Sequence, residues 1–185
     1  MTSRERLLDA LRSHGLVLGE VTLASGRTAQ YYVDARRALL TLDGFRAAGE
    51  LVSAEAERLG AAAVGGPTLG ADPIACSVLC ASERLKAFFV RKERKEHGLQ
   101  RWIEGPPIEP GERALVVEDV VTSGGSLITA IERLREEGVE LAGALTVVDR
   151  LAGGAGAIEQ ALGPGVPYVS LFTIDDVYPD RPDRE

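Results

Sequence analysis

Residues 114–138 read ALVVEDVVTSGGSLITAIERLREEG: an apolar strand, two adjacent carboxylates at its end, a turn of small residues, and an amphipathic helix. Leu127, Ile131 and Leu134 share one face at helical spacing. The strand lacks clean alternation, as expected where both faces of a sheet are covered. Working outward, the apolar strand AAAVGG (61–66) leads through a Gly/Pro loop to a helix over 73–84. The strand AFFV (87–90) and a charged loop follow, and after the quoted segment comes the strand LAGALTVVD (141–149). Strands alternating with helices predict a doubly wound α/β fold with a parallel sheet.

Before this region, Thr2 and Glu5 form a capping box for a first helix carrying Leu7, Leu8 and Leu11, which Gly15 stops. Val21 and Leu23, a Ser25-Gly26 turn and the trio Tyr31, Tyr32, Val33 predict a hairpin. Asp43 is read as the cap of a helix with Phe45, Ala48, Val52, Ala56 and Leu59 on one face and Gly60 at its end. After residue 150, LAGGAGAIEQALGPG predicts one more short helix and VPYVSLFTI a last strand, with a frayed polar end, YPDRPDRE. No repeat or linker interrupts the 185 residues, so one domain is expected.

Composition narrows the function classes. The net charge of −7 argues against non-specific nucleic-acid binding, which rests on Lys and Arg neutralising phosphates. No apolar run reaches the roughly 20 residues a membrane span needs, and the N-terminus lacks a signal-peptide core, so a cytoplasmic protein is expected. Cys76 and Cys80, four apart on an expected helix, are too far apart for a disulfide and read as buried thiols.

The chemistry concentrates at the end of the strand at 114–119. In an open parallel sheet, ligands bind beyond the carboxyl ends of strands, where Glu118 and Asp119 stand. Thr122, Ser123, Gly124, Gly125 and Ser126 lead into a helix start, where backbone N–H groups and the helix dipole favour a phosphate. Neither Walker-type nor dinucleotide-loop spacing occurs. Ionised carboxylates only accept hydrogen bonds, and a vicinal diol donates two, so acids beside a phosphate cradle suit a ribose 5-phosphate.

A second cluster, FVRKERKEHG (89–98), gathers Arg91, Lys92, Arg94, Lys95 and His97 in an acidic chain. Cations there would stabilise charge developing on a leaving diphosphate; an ordinary solvated loop would carry the same residues. Arg150, at the end of TVVDR, is placed to bind a planar carboxylate through two hydrogen bonds or to form a surface ion pair.

The order strand, acid, acid, two apolar residues, Thr, small residues, helix resembles the phosphoribosyl diphosphate signature of type I phosphoribosyltransferases. The spacing R-K-x-x-K-x-H-G over 91–98 resembles the catalytic loop of the orotate phosphoribosyltransferases, and LASGRTAQYYVDAR (23–36) resembles their base and phosphate pocket. The resemblance covers residues 15–150. It implies a doubly wound sheet with a small hood formed mainly by N-terminal segments, and transfer of ribose 5-phosphate from 5-phosphoribosyl 1-diphosphate (PRPP) to orotate with Mg²⁺ held mainly by substrate.

By the same resemblance, Glu118 and Asp119 grip the ribose hydroxyls and Val120, Val121 and residues 122–126 wrap the 5-phosphate. Arg91, Lys92, Lys95 and His97 meet the diphosphate, with Lys95 the leading catalytic candidate. Thr122, Arg150, Tyr31 and Tyr32 face orotate. A homodimer with shared sites is implied, with no nucleic acid or membrane partner. Two departures stand out: Ala24 and Gly70 occupy positions where many relatives carry lysine. The rival readings are a phosphoribosyltransferase for another base and a PRPP-sensing regulator.

Overall fold

A computed structural model describes residues 1–22, 28–93 and 102–184. Thr2 caps helix α1 (Ser3–Ala10) through the expected box: its hydroxyl accepts the Glu5 N–H, and the Glu5 carboxylate accepts the Thr2 N–H. A π turn over Leu11–Gly15 carries the chain into strand β1 (Leu16–Thr22). β1 pairs antiparallel with β2 (Thr28–Val33) in a separate two-stranded sheet, as the hairpin reading expects. The Ser25-Gly26 turn and Ala24 lie outside the described residues.

Two local expectations change here. A short helix α2 (Ala35–Leu39) follows β2, and α3 (Leu42–Leu59) is capped by Thr41 rather than Asp43. The Thr41 hydroxyl accepts the Gly44 N–H at 3.1 Å, which places Asp43 inside the first turn. There its charge favours the helix N-terminus without capping it. Gly60 ends α3 in the left-handed conformation, φ 68°.

The main sheet starts at β3 (Ala63–Pro67), followed by α4 (Asp72–Val78), β4 (Lys86–Val90) and a two-residue β5 (Ile103–Glu104). Because α4 stops at Val78, well short of residue 84, Cys80 lies outside the helix and is exposed; Cys76 is half-buried, so neither is the fully buried thiol expected. The long strand β6 (Arg113–Val121) runs through both carboxylates and leads into α5 (Gly125–Glu136). β7 (Glu140–Asp149), α6 (Gly154–Leu162), β8 (Tyr168–Thr173) and the single turn α7 (Ile174–Val177) complete the chain.

The strand order is β5-β4-β3-β6-β7-β8, with the edge strand β5 antiparallel and every other neighbouring pair parallel. Adjacent residues of one strand serve opposite cores. Leu115 and Val117 of β6 join Leu7, Leu39, Val52 and Ile74 from α1–α4, whereas Ala114 and Val116 join Leu127, Ile131, Leu134 and Ile158 from α5 and α6. Burial on both faces explains the continuous apolar strands.

The C-terminal end is held in place. Arg181 bonds Asp175 at 2.8 Å and Asp183 at 3.0 Å, and Asp183 accepts the Tyr31 hydroxyl at 3.1 Å. Tyr178 meets the Tyr31 ring edge to face at 5.4 Å. The expected fraying is thus overturned by ion pairs and an aromatic contact that tie the tail to β2.

Candidate active site

Among the parallel strands the order β4-β3-β6-β7-β8 reverses direction at β3, so the crevice for a ligand lies between the ends of β3 and β6. A cleft of about 600 Å³ opens there. β3 contributes the loop Pro67–Gly70, β6 contributes Glu118, Asp119 and Val120, and α5 contributes Gly125, Ser126, Thr129 and Arg133. Lys92 follows β4, Arg150 follows β7, and Tyr32, Val33 and Arg36 come from the hairpin and α2. The peptide between Thr68 and Leu69 is cis.

The turn at the start of α5 forms a pocket of about 160 Å³ adjoining the cleft, lined by residues 120–127 and Glu118. Gly124 takes φ 81°, and a Cβ there would come within 2.9 Å of Ile158 on α6. A side chain at that position would be strained twice over, once by its backbone and once by the neighbouring helix. The first N–H groups of α5 have no partner within the helix, and the residues that carry them line this pocket.

Glu118 and Asp119 are almost buried at the cleft wall. Burial, then the charge of Asp119, pushes Glu118 from 4.5 up to about 9. Burial also raises Asp119, opposed by the Val120 N–H that donates to its Oδ1 at 2.8 Å and by the Arg36 guanidinium. Two acids this close resist ionising together, so the pair retains a proton above the usual carboxylate range. Arg36 is itself anchored to Asp34 at 3.0 Å.

Gly70 faces the pair so closely that a Cβ would stand 2.5 Å from an Asp119 oxygen and 2.6 Å from a Glu118 oxygen. At the neighbouring strand end, the Arg150 N–H donates to the Val121 carbonyl at 2.9 Å, fixing the backbone of β7's end against β6. Asp149 secures the next turn by accepting the Leu151 N–H at 2.7 Å and the Tyr168 hydroxyl at 3.0 Å. The Arg150 guanidinium lies 5.3 Å from the centre of the Tyr31 ring.

The phosphoribosyl transferase domain model matches residues 70–157. The orotate phosphoribosyltransferase of Streptomyces avermitilis is 48% identical over 180 residues, covering 94% of this chain and 96% of that protein. The chain belongs to the orotate phosphoribosyltransferase family. The crystal structure of the Mycobacterium tuberculosis H37Rv orotate phosphoribosyltransferase with Fe(III) dicitrate superposes with a TM-score of 0.84 at 43% identity, covering 95% of this chain and 98% of that one. The same enzyme with PRPP gives a TM-score of 0.79 at 39% identity over 95% and 98%.

Of the residues expected from sequence, the structure brings Tyr32, Lys92, Glu118, Asp119, Val120, Thr122, Gly125, Ser126 and Arg150 to the cleft. Val121, Ser123 and Gly124 line the adjoining pocket. Tyr31 is not at the cleft surface: it is 3% exposed and lies among the core residues beneath Arg150. Strand alternation sends its ring to the face opposite that of Tyr32. Arg91 lines a neighbouring groove and pairs with Glu104 at 3.2 Å. Lys95 and His97 lie outside the described residues.

Sequence reasoning missed Arg36, Thr129 and Arg133. Thr129 was legible, since it sits one turn beyond Gly125 and its hydroxyl donates to the Gly125 carbonyl. Arg36 and Arg133 gave no local sign, because each reaches the cleft from a different layer.

Proposed function

We propose that this chain joins orotate to PRPP, giving orotidine 5-phosphate and diphosphate, a step of pyrimidine synthesis. The observation that carries the reading is the buried acid pair beside a glycine-turn phosphate pocket, with Arg150 facing it from the next strand end. PRPP presents a 5-phosphate to the start of α5 and two ring hydroxyls to Glu118 and Asp119. Arg150 and Thr122 meet the orotate carboxylate and ring, and Tyr32 lies along the base. The bond from the anomeric carbon to the diphosphate oxygen breaks as orotate's N1 forms the new C–N bond and gives up its proton.

Cations aimed at the departing diphosphate act where charge grows during the reaction, which is where electrostatic stabilisation raises turnover. Lys92 is supported in that role by its position on the cleft, and Arg91, Lys95 and His97 by the family spacing. The cleft also suits Mg²⁺ held mainly by substrate: phosphate and ribose oxygens of PRPP and water would supply most of its ligands, with the Asp119 carboxylate beside them. When bound, the ion withdraws charge from the diphosphate.

A second copy of the chain completes the assembly. Leu40, Leu42, Leu69 and Leu79 are exposed, and Leu40, Phe45, Leu69, Pro73 and Cys76 wall a largely apolar cavity of about 620 Å³ beside the cleft. An exposed apolar face of this kind marks a protein contact. Within the described residues no helix is long and apolar enough to cross a membrane. Phosphorylated, charged substrates place the reaction in the cytoplasm. The loss of orotate absorbance with PRPP, followed with and without Mg²⁺, tests the whole reading. Consumption of orotate only with PRPP and Mg²⁺ is expected; activity on uracil, hypoxanthine or adenine instead would replace the base assignment.

A further inference from the structure

Arg133 stands near the end of α5, yet its guanidinium reaches the strand ends of the next layer. One η nitrogen donates to the Arg91 carbonyl, and the other donates to the Lys92 carbonyl at 2.8 Å. Its Cζ lies 4.2 Å from the centre of the Trp102 ring. Trp102 is held by the same helix end: its indole N–H donates to Glu136 at 2.9 Å, and its backbone N–H donates to Glu137. The Arg91 N–H closes the arrangement by donating to the Trp102 carbonyl at 2.9 Å.

We infer that Arg133 is a positioning residue for phosphoribosyl transfer: it ties the helix that begins in the phosphate pocket to the backbone carrying Lys92. Gly125, Ser126 and Thr129 at the front of α5 and Lys92 on the strand side line one cleft, so a rigid helix sets their separation. The fork of a guanidinium serves two carbonyls and an indole face at once; an ammonium group offers a single point of charge. A displacement of about 1 Å in a positioned group costs about 100-fold in rate. The inference rests on the reading of the cleft as a PRPP site.

Trp102 is the one tryptophan of the chain, so its fluorescence reports on this contact directly. PRPP does not absorb in that range and serves as the probe. Wild-type protein with Mg²⁺ is expected to change its Trp102 emission as PRPP is added. Arg133→Lys is expected to abolish that change and to lower kcat about 10–100-fold with the KM for orotate within about twofold. Wild-type kcat with an intact emission response in Arg133→Lys would overturn the inference. So would a raised KM for PRPP at unchanged kcat, which marks direct binding instead. Should Arg133→Lys fail to fold, Arg133→Gln, whose shorter amide cannot serve both carbonyls and the indole face, carries the test with both readouts, and an undiminished kcat with an intact emission response there overturns it. The emission response needs PRPP and Mg²⁺ but no orotate, so its presence without turnover of orotate separates failure of the base assignment from failure of this inference.

Discussion

At the scale of single residues, the acid pair sets a pH dependence. Glu118 is raised to about 9 in the folded protein without ligand. The folded chain therefore holds a proton that the unfolded chain has released above about 4.5, and folding stability falls as pH rises through that interval. Thermal melts of the ligand-free protein from pH 5 to 9 are expected to show a falling Tm, and Glu118→Gln is expected to flatten the slope. An equal slope in both proteins would place the proton elsewhere. Arg150→Ala is expected to raise the KM for orotate about 10–100-fold, the worth of charged hydrogen bonds at about 1.5–3 kcal/mol, and to move the KM for PRPP much less. Equal changes would refute the carboxylate assignment. Gly70→Ala is expected to displace the carboxylates rather than the fold, raising the KM for PRPP several-fold at unchanged Tm, because the atoms it would meet are side-chain oxygens.

At the scale of elements, the strand-turn-helix unit β6–α5 was legible because each of its signals is local: apolar run, acids, glycine turn, helical stripe. The capping box of Thr2 and Glu5 and the end of α3 at Gly60 were legible for the same reason. The cap of α3 was not, since Thr41 and Asp43 are both good caps and only the hydroxyl contact to Gly44 decides between them. α2 has five residues, too few for a periodic stripe. Arg36 and Arg133 acquire their places only when separate layers meet, and no spacing along the chain encodes that. The basic segment carries the remaining expectation at this scale. Lys95→Ala is expected to lower kcat about 100–1000-fold while PRPP binding, measured by calorimetry, stays within a few-fold. A drop below tenfold would pass the role to another cation.

At the scale of the whole molecule, the proposed pairing of two copies through the exposed leucines beside the cleft predicts an activity that depends on assembly. Leu40→Glu places a charge on that face, and sedimentation is expected to show a lighter species with reduced turnover. A monomer of full activity would show that the second copy contributes nothing to the site. The tail acts across the molecule as well. Tyr31 and Asp183 stand 152 positions apart, and their contact ties the tail to the ring that lies beneath Arg150. Contacts of such separation form late, after the entropy of closing the loop has been met. During synthesis β3, β4, β6 and the phosphate pocket are built from residues that emerge well before 175–183, whereas the footing beneath Arg150 waits for those later residues. On the proposed roles of these residues, a nascent chain would thus acquire its grip on the sugar phosphate before its grip on the base.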